Sequence, residues 1–241
     1  MYRTFIALMS LTIFVVGCGG GGSGSGTAIG GGSLPEVASP SGAWDDPTII
    51  NQNRLIAFID SNNDALFYWP FQPMIMRCEL TVTSQGFSCD LGDDFYISGT
   101  VEEGVSLSGV LTLQDIEQHS FNLNYPSEVY DNSVSLSQLV DVWSEESAGI
   151  IETLSIDSDG AVTGSDSSGC VVNGQLTMIN TDFNLHDVSL TYSNCANKDG
   201  VYLGKGFFVD SSTTSDPSDV DAWRIFLDGT DLIKDSLFER Q

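Results

Sequence analysis

Four cysteines and two clusters of closely spaced acids are the residues here whose types and spacing promise chemistry. Cys78, Cys89, Cys170 and Cys195 form an even set. In an exported chain such a set reads as disulfides, and four cysteines allow three pairings. Cys78–Cys89 and Cys170–Cys195 each bracket a plausible hairpin, which selects those two. Zinc is the competing use of the thiols, but the paired Cys-x-x-Cys spacing is missing. His119 and His186 add no ligand pattern, so no metal site is expected. Asp60, Asn62 and Asp64, and separately Asp157, Asp159 and Asp166, resemble the opening of a calcium loop. No Glu closes a twelve-residue loop, and Asp and Asn here are what β-turns use for local hydrogen bonds. Asp210, Asp216, Asp219 and Asp221 share one long polar segment with no base. It reads as a solvated connection, with a cation or a basic partner as the sharper alternative. No nucleophile elbow, zinc-protease helix or phosphate-binding glycine loop is present. The chain is therefore read as non-enzymatic, with no catalytic residue and no cofactor.

The fifth cysteine decides where the rest lives. Arg3 supplies one positive charge, an apolar run follows over 5–16, broken only by Ser10 and Thr12, and then come Gly17 and Cys18. A basic start, an apolar stretch and a small residue at the cut describe a secretory signal over 1–17. Because Cys18 follows the small residue directly, the start resembles a bacterial lipoprotein signal, which implies acylation of Cys18. About twelve apolar residues are too few to span the roughly 30 Å of hydrocarbon in a bilayer. Gly19 stands where Gram-negative lipoproteins kept at the inner membrane tend to carry Asp, so the resemblance implies the outer membrane, on either face. Residues 18–40, rich in Gly and Ser, form a flexible tether with a reach of roughly 25 Å.

The net charge is −25, from 33 acids against 8 bases. Residues 41–130 carry 13 acids and 2 bases and residues 131–241 carry 19 and 5, so the acidity is no mere tail. A field of that sign repels nucleic acid, which excludes it as a partner. Hydrophobic content of 41%, with 13 Phe, 7 Tyr and 4 Trp, is enough to fill a core.

The elements that must position these residues are short β-runs separated by turn signals. Runs over 54–60 and 65–69 flank a turn at 61–64, and the second run stops at Pro70. Residues 74–83 and 86–91 read as one hairpin turning at Gly86, with Cys78 and Cys89 opposite each other. Val105, Leu107 and Gly109 alternate with Ser106 and Ser108, the period of a half-buried strand. Residues 133–142 read as one or two turns of helix with a serine cap. The β pattern then restarts and runs to 239. The expected organisation is a β domain over 41–130 and another over 131–241. The fold class is all-β: two tandem antiparallel meanders, each a small barrel or curled sheet, with one larger barrel or sandwich as the alternative. A weak internal repeat supports two copies. Trp44 parallels Trp143, the Asp60 turn parallels the Asp157 turn, and 96–99 parallels 171–174.

Leu154-Ser-Ile-Asp-Ser-Asp-Gly160, Gly164-Ser-Asp-Ser-Ser-Gly-Cys170 and Gly200-Val-Tyr-Leu-Gly204 resemble acidic, uncharacterised outer-membrane lipoproteins of Gram-negative bacteria over about residues 139–241. The resemblance implies the location and the Cys170–Cys195 pairing, and no activity. Trp143, opening the first strand of the second half, and Arg240, closing the last, are similar to the pair in calycin barrels. There an Arg of the final strand covers a Trp near the start, and the likeness makes Trp143 and Arg240 a candidate barrel lock. The expected function is a lipid-anchored envelope module that recognises a partner protein or a small ligand. The alternatives are a structural acidic coat and an inhibitor of a basic cell-wall hydrolase.

Overall fold

The structure is a computed structural model that describes residues 38–45, 54–70, 73–92, 95–113, 117–125, 130–211, 220–229 and 232–241. Both sheets belong to one compact unit, Pro35–Gln241. The first contains β1 (Gly42–Asp45), β2 (Ile56–Ile59), β3 (Asp64–Trp69), β4 (Met74–Glu79), β5 (Thr81–Thr83), β6 (Gly86–Gly92), β7 (Phe95–Glu102), β8 (Ser106–Leu113) and β9 (Glu117–Asn124). The second contains β10 (Val142–Ser147), β11 (Ile150–Ile156), β12 (Ala161–Asp166), β13 (Val171–Met178), β14 (His186–Ser193), β15 (Gly200–Val209), β16 (Ala222–Asp228) and β17 (Ile233–Arg240). A four-residue helix, α1 (Leu136–Leu139), precedes β10. The chain is all-β, with two antiparallel meanders in tandem rather than one large barrel.

The second meander closes on itself as an eight-stranded barrel, β17 pairing with β10 through Trp143 opposite Arg240. Alternation along each strand sets what points inward. On β11 Glu152, Leu154 and Ile156 are buried while Ile151 and Ser155 are exposed; on β14 His186, Val188, Leu190 and Tyr192 are buried. Trp143, Trp223 and Phe238 are wholly buried in its core. The first meander runs in the order β4-β3-β2-β1-β9-β8-β7-β6-β5, with its own core around Trp44, Phe67 and Leu107. Its outermost strands curl towards each other without a ladder among the described residues, and the Cys78–Cys89 disulfide joins β4 to β6 there, Cα to Cα 6.1 Å.

That placement corrects the expected hairpin. Met74–Glu79 pairs with β3, and only Thr81–Thr83 pairs with β6. Buried Leu80 gives its amide to the Asn63 carbonyl at 2.8 Å, which holds β4 beside β3 and bends the chain before β5. The disulfide therefore bridges the seam of a nearly closed barrel instead of crossing a hairpin. Cys170–Cys195 sits where expected, just beyond the β13–β14 pair that ends at Val171 opposite Ser193. With β4 and β5 counted as one bent strand, both disulfides tie the fourth and fifth strands of their meander.

The two copies match in hydrogen-bonding detail. Trp44 Nε1 donates to the Pro40 carbonyl and Trp143 Nε1 to the Leu139 carbonyl, each four residues back at 2.8 Å. Asp60 Oδ1 accepts from the amides of Asn62 and Asp64, as Asp157 Oδ1 does from Asp159 and Ala161. The turn residue at the third step has positive φ in both, Asn63 at 66° and Gly160 at 79°. A side chain at Gly160 would start 2.5 Å from the Leu176 carbonyl, so glycine is required there by space as well as by φ. The proposed match of 96–99 with 171–174 does not hold. Those residues lie on β7 and β13, and with β4 and β5 counted as one strand the counterpart of β7 is β15.

The outer faces of the meanders pack on each other through Phe58, Tyr68, Tyr130, Leu185 and Phe226, among others. Phe58 and Phe226 ring centroids are 4.9 Å apart, and Tyr130 stacks on Phe183 at 4.8 Å.

Candidate functional site

One end of the closed barrel is plugged from within the chain. Ser135 N–H donates to Gln138 Oε1 at 2.8 Å, the return half of a capping box that starts α1. Leu139 of α1 is buried against Trp143 in the barrel core. The Arg240 guanidinium lies 4.9 Å from the Trp143 ring and 5.5 Å from that of Phe208. It donates to Asp221 Oδ2 at 2.8 Å and to the Gln138 carbonyl. Its Nε is 3.3 Å from Asp141 but lacks hydrogen-bond geometry to it. Cation, ring and helix carbonyl thus hold the first strand, the last strand and α1 together. Deeper in the barrel, Trp223 Nε1 donates to His186 Nε2 at 2.8 Å. The His186 proton must then sit on Nδ1, which is buried and has no hydrogen-bond partner among the described residues. Burial depresses the His186 pKa to about 3 and keeps the ring neutral.

The opposite end is polar. Glu152 takes the inward position two residues before Leu154, so the β-alternation that builds the core also buries a carboxylate. Tyr192 donates to its Oε1 at 2.6 Å and Lys234 to its Oε2 at 2.8 Å. Glu145 stands 3.6 Å from the same ammonium. Burial, and then the Glu152 charge, push the Tyr192 hydroxyl well above the ordinary tyrosine pKa, so it stays a donor. Lys234 also lies 5.7 Å from the Tyr192 ring centroid, and Tyr202 meets that ring edge-on at 5.0 Å. In front of this network is a cavity of about 130 Å³ lined by Tyr192, Lys198, Tyr202, Leu232, Ile233 and Lys234. Exposed Lys198 has no ion-pair partner among the described residues. Of the cavity-lining residues and Glu152, only Tyr202 stood in a motif that the sequence singled out, Gly200-Val-Tyr-Leu-Gly204, and with no site role attached. Glu152 had one legible signal, as the lone acid on an otherwise apolar strand face.

The calcium-like acids do other work. Asp157 caps its own turn, while Asp166 accepts from Ser168 and Cys170 in a separate turn. Desolvation pushes the Asp166 carboxyl up, but the bonds from Ser168 and Cys170, with the Lys198 charge beyond, bring it below its usual value. Asp60 and Asp64 do converge, with Asp187 of β14, and the cation they meet is Lys205. Its Nζ is 2.7 Å from Asp60, 3.0 Å from Asp64 and 2.9 Å from Asp187. Lys205 is only 1% exposed, pointing out of the barrel between inward Gly204 and Gly206 and into the joint between the meanders. Burial alone would lower its pKa; the contacts with Asp60, Asp187 and Asp64 outweigh that and raise it. His119 lies edge-on to Trp69 at 4.6 Å, on the first meander, and among the described residues it shares no ligand set with His186. Cys18 and residues 212–219 of the acidic loop lie outside the described residues. At the root of that loop, Asp221 anchors Ser211 and Arg240.

The chain matches no family model, no curated protein and no solved structure. No helix among the described residues is long and apolar enough to cross a membrane.

Proposed function

We propose that this chain is a lipid-anchored envelope protein of the outer membrane that works by binding, without catalysis, and that the open mouth of its second barrel is the recognition site. The signal pattern ending at Cys18 supports the anchor. The observation that carries the binding reading is the mouth cavity backed by the buried Glu152–Lys234–Tyr192 network. Charged side chains fixed by hydrogen bonds beside apolar walls are how small-ligand sites are built, and barrel mouths are common places for them. At about 130 Å³ the cavity is smaller than the roughly 300–1,000 Å³ of drug-sized sites. The occupant is therefore a small molecule or one group of a larger one. The packed barrel interior favours a second reading, an acidic structural coat, in which the mouth binds nothing.

Two measurements test this. Labelled palmitate should enter the wild-type chain and not Cys18→Ser; equal incorporation removes the anchor. A fragment screen followed by amide and side-chain NMR should shift signals of Tyr192, Tyr202 and Lys234 saturably. A screen with no saturable shift at those residues leaves the structural coat.

A further inference from the structure

We propose that the mouth of the second barrel binds a small carboxylate with a ring-sized apolar body, the carboxylate pairing with Lys198. The inference rests on the reading of the mouth as a binding site and adds the class of ligand. Size comes first. A dry cavity of about 150 Å³ accepts benzene, so about 130 Å³ suits one ring or a branched aliphatic group. The walls suit it too: Tyr192 and Tyr202 present ring surface, and Leu232 and Ile233 present aliphatic surface.

Charge then selects among ring-sized molecules. Two of the chain's eight basic residues line this one cavity, although acids outnumber bases about fourfold. Their states differ. Lys234 is held by Glu152 at 2.8 Å, with Glu145 at 3.6 Å, and is close to neutralised. Lys198 has neither an ion pair nor a hydrogen bond from its ammonium among the described residues, and Asp166 feels it only as a more distant charge. A cationic ligand would have to compete with Lys234 for Glu152, both of whose oxygens already accept a bond, from Tyr192 and from Lys234. It would also meet the Lys198 ammonium, which lacks an ion pair among the described residues. A carboxylate reaching Lys198 forms a charge-assisted bond at the edge of a low-dielectric wall, where such bonds are stronger than neutral ones. Tyr202 fixes the loop that carries Lys198, its hydroxyl donating to the Lys198 carbonyl at 3.2 Å.

The test uses the whole chain carrying Cys18→Ser, so that no micelle competes for apolar probes. Phenylacetate, phenylacetamide and phenethylamine are titrated against it by NMR. The expected result is saturable binding of phenylacetate with shifts at Tyr192, Tyr202 and Lys234, about tenfold tighter than the amide or the amine. Lys198→Ala should remove that tenfold preference and Lys198→Arg should keep it, while amide binding stays unchanged in both. If the amide or amine binds the mouth as tightly as phenylacetate, or Lys198→Ala leaves the preference intact, the ligand class is wrong and the mouth remains a site. If none of the three shifts the mouth at about 10 mM, the ligand class and the mouth reading both fall.

Discussion

His186 shows how a single buried side chain couples this fold to pH. Its Nε2 accepts from Trp223 and its ring is wholly buried, so only the neutral form fits the core. A base whose pKa falls on folding contributes stability that is fully present above its unfolded value, about 6.5, and is lost as pH drops towards the folded value of about 3. Over that window each pH unit removes up to about 1.4 kcal/mol. Between pH 6.5 and 5 the loss from this one group should approach about 2 kcal/mol, read as a fall in denaturant midpoint. Asp166, whose carboxyl is depressed, contributes stability above its unfolded value and loses it only at more acid pH, outside that interval. In His186→Phe the loss between pH 6.5 and 5 should be absent, whatever the variant's stability at neutral pH. An unchanged slope would place the acid sensitivity elsewhere.

Among the elements, the seam between β4 and β6 is the place where the two meanders differ most. In the second barrel the corresponding strands, β13 and β14, share eight register pairs from Val171–Ser193 to Met178–His186, and Cys170–Cys195 merely adds to them. In the first, no ladder joins β4 to β6, and Cys78–Cys89 is the covalent tie across the gap. By chain entropy the two loops are worth similar amounts, about 3 and 3.5 kcal/mol. Their local consequences should nevertheless differ. Replacing Cys78 and Cys89 by alanine should speed amide exchange along β4 and β6, because that seam then opens without breaking a ladder. Replacing Cys170 and Cys195 should lower stability while β13 and β14 keep their protection. Equal protection of β4 and β6 with and without the bond would mean that packing alone closes the seam.

For the whole molecule, the joint between the meanders depends on one ammonium among three carboxylates. Lys205 and Asp60 are nearly inaccessible, whereas Asp64 and Asp187 remain 40% and 47% exposed and can keep part of their hydration. Removing the lysine charge leaves Asp60 buried without its partner, which typically costs about 3–5 kcal/mol; with the exposed pair discounted, the lower figure applies. Lys205→Met should therefore destabilise the chain by about 3 kcal/mol and split one cooperative unfolding transition into two, as the meanders part. It also leaves three carboxylates within 4.8 Å of one another, a set that a divalent cation can bridge. Calcium should restore part of the lost midpoint in Lys205→Met and have little effect on the wild type. A single transition in the variant, insensitive to calcium, would show that the aromatic contacts around Phe58 and Phe226 join the meanders unaided.

The order of residues was enough to determine the all-β class and the Cys170–Cys195 pairing across its hairpin, whereas Cys78–Cys89 forms across a seam that the expected hairpin did not foresee. These depend on local signals: period-two alternation, Gly and Asn at positive-φ turns, and Cys170 and Cys195 beside the ends of one strand pair. The Trp143–Arg240 contact was also legible, since the first and last strands of a closed meander must meet. Other features needed the third dimension. Glu152, Tyr192, Tyr202 and Lys234 come from four strands and share a mouth only because the barrel closes. Asp60 and Asp64 were legible as turn residues, and the Asp60 turn forms, but their meeting with Lys205 of β15, 141 residues beyond Asp64, needed the packing of the other meander. The bend at Leu80, which turned a supposed hairpin into a stapled seam, follows from a hydrogen bond to Asn63 that belongs to a different strand pair. Sequence sets which faces are apolar and where the chain turns; which charges then meet across the sheets is set by closure and packing.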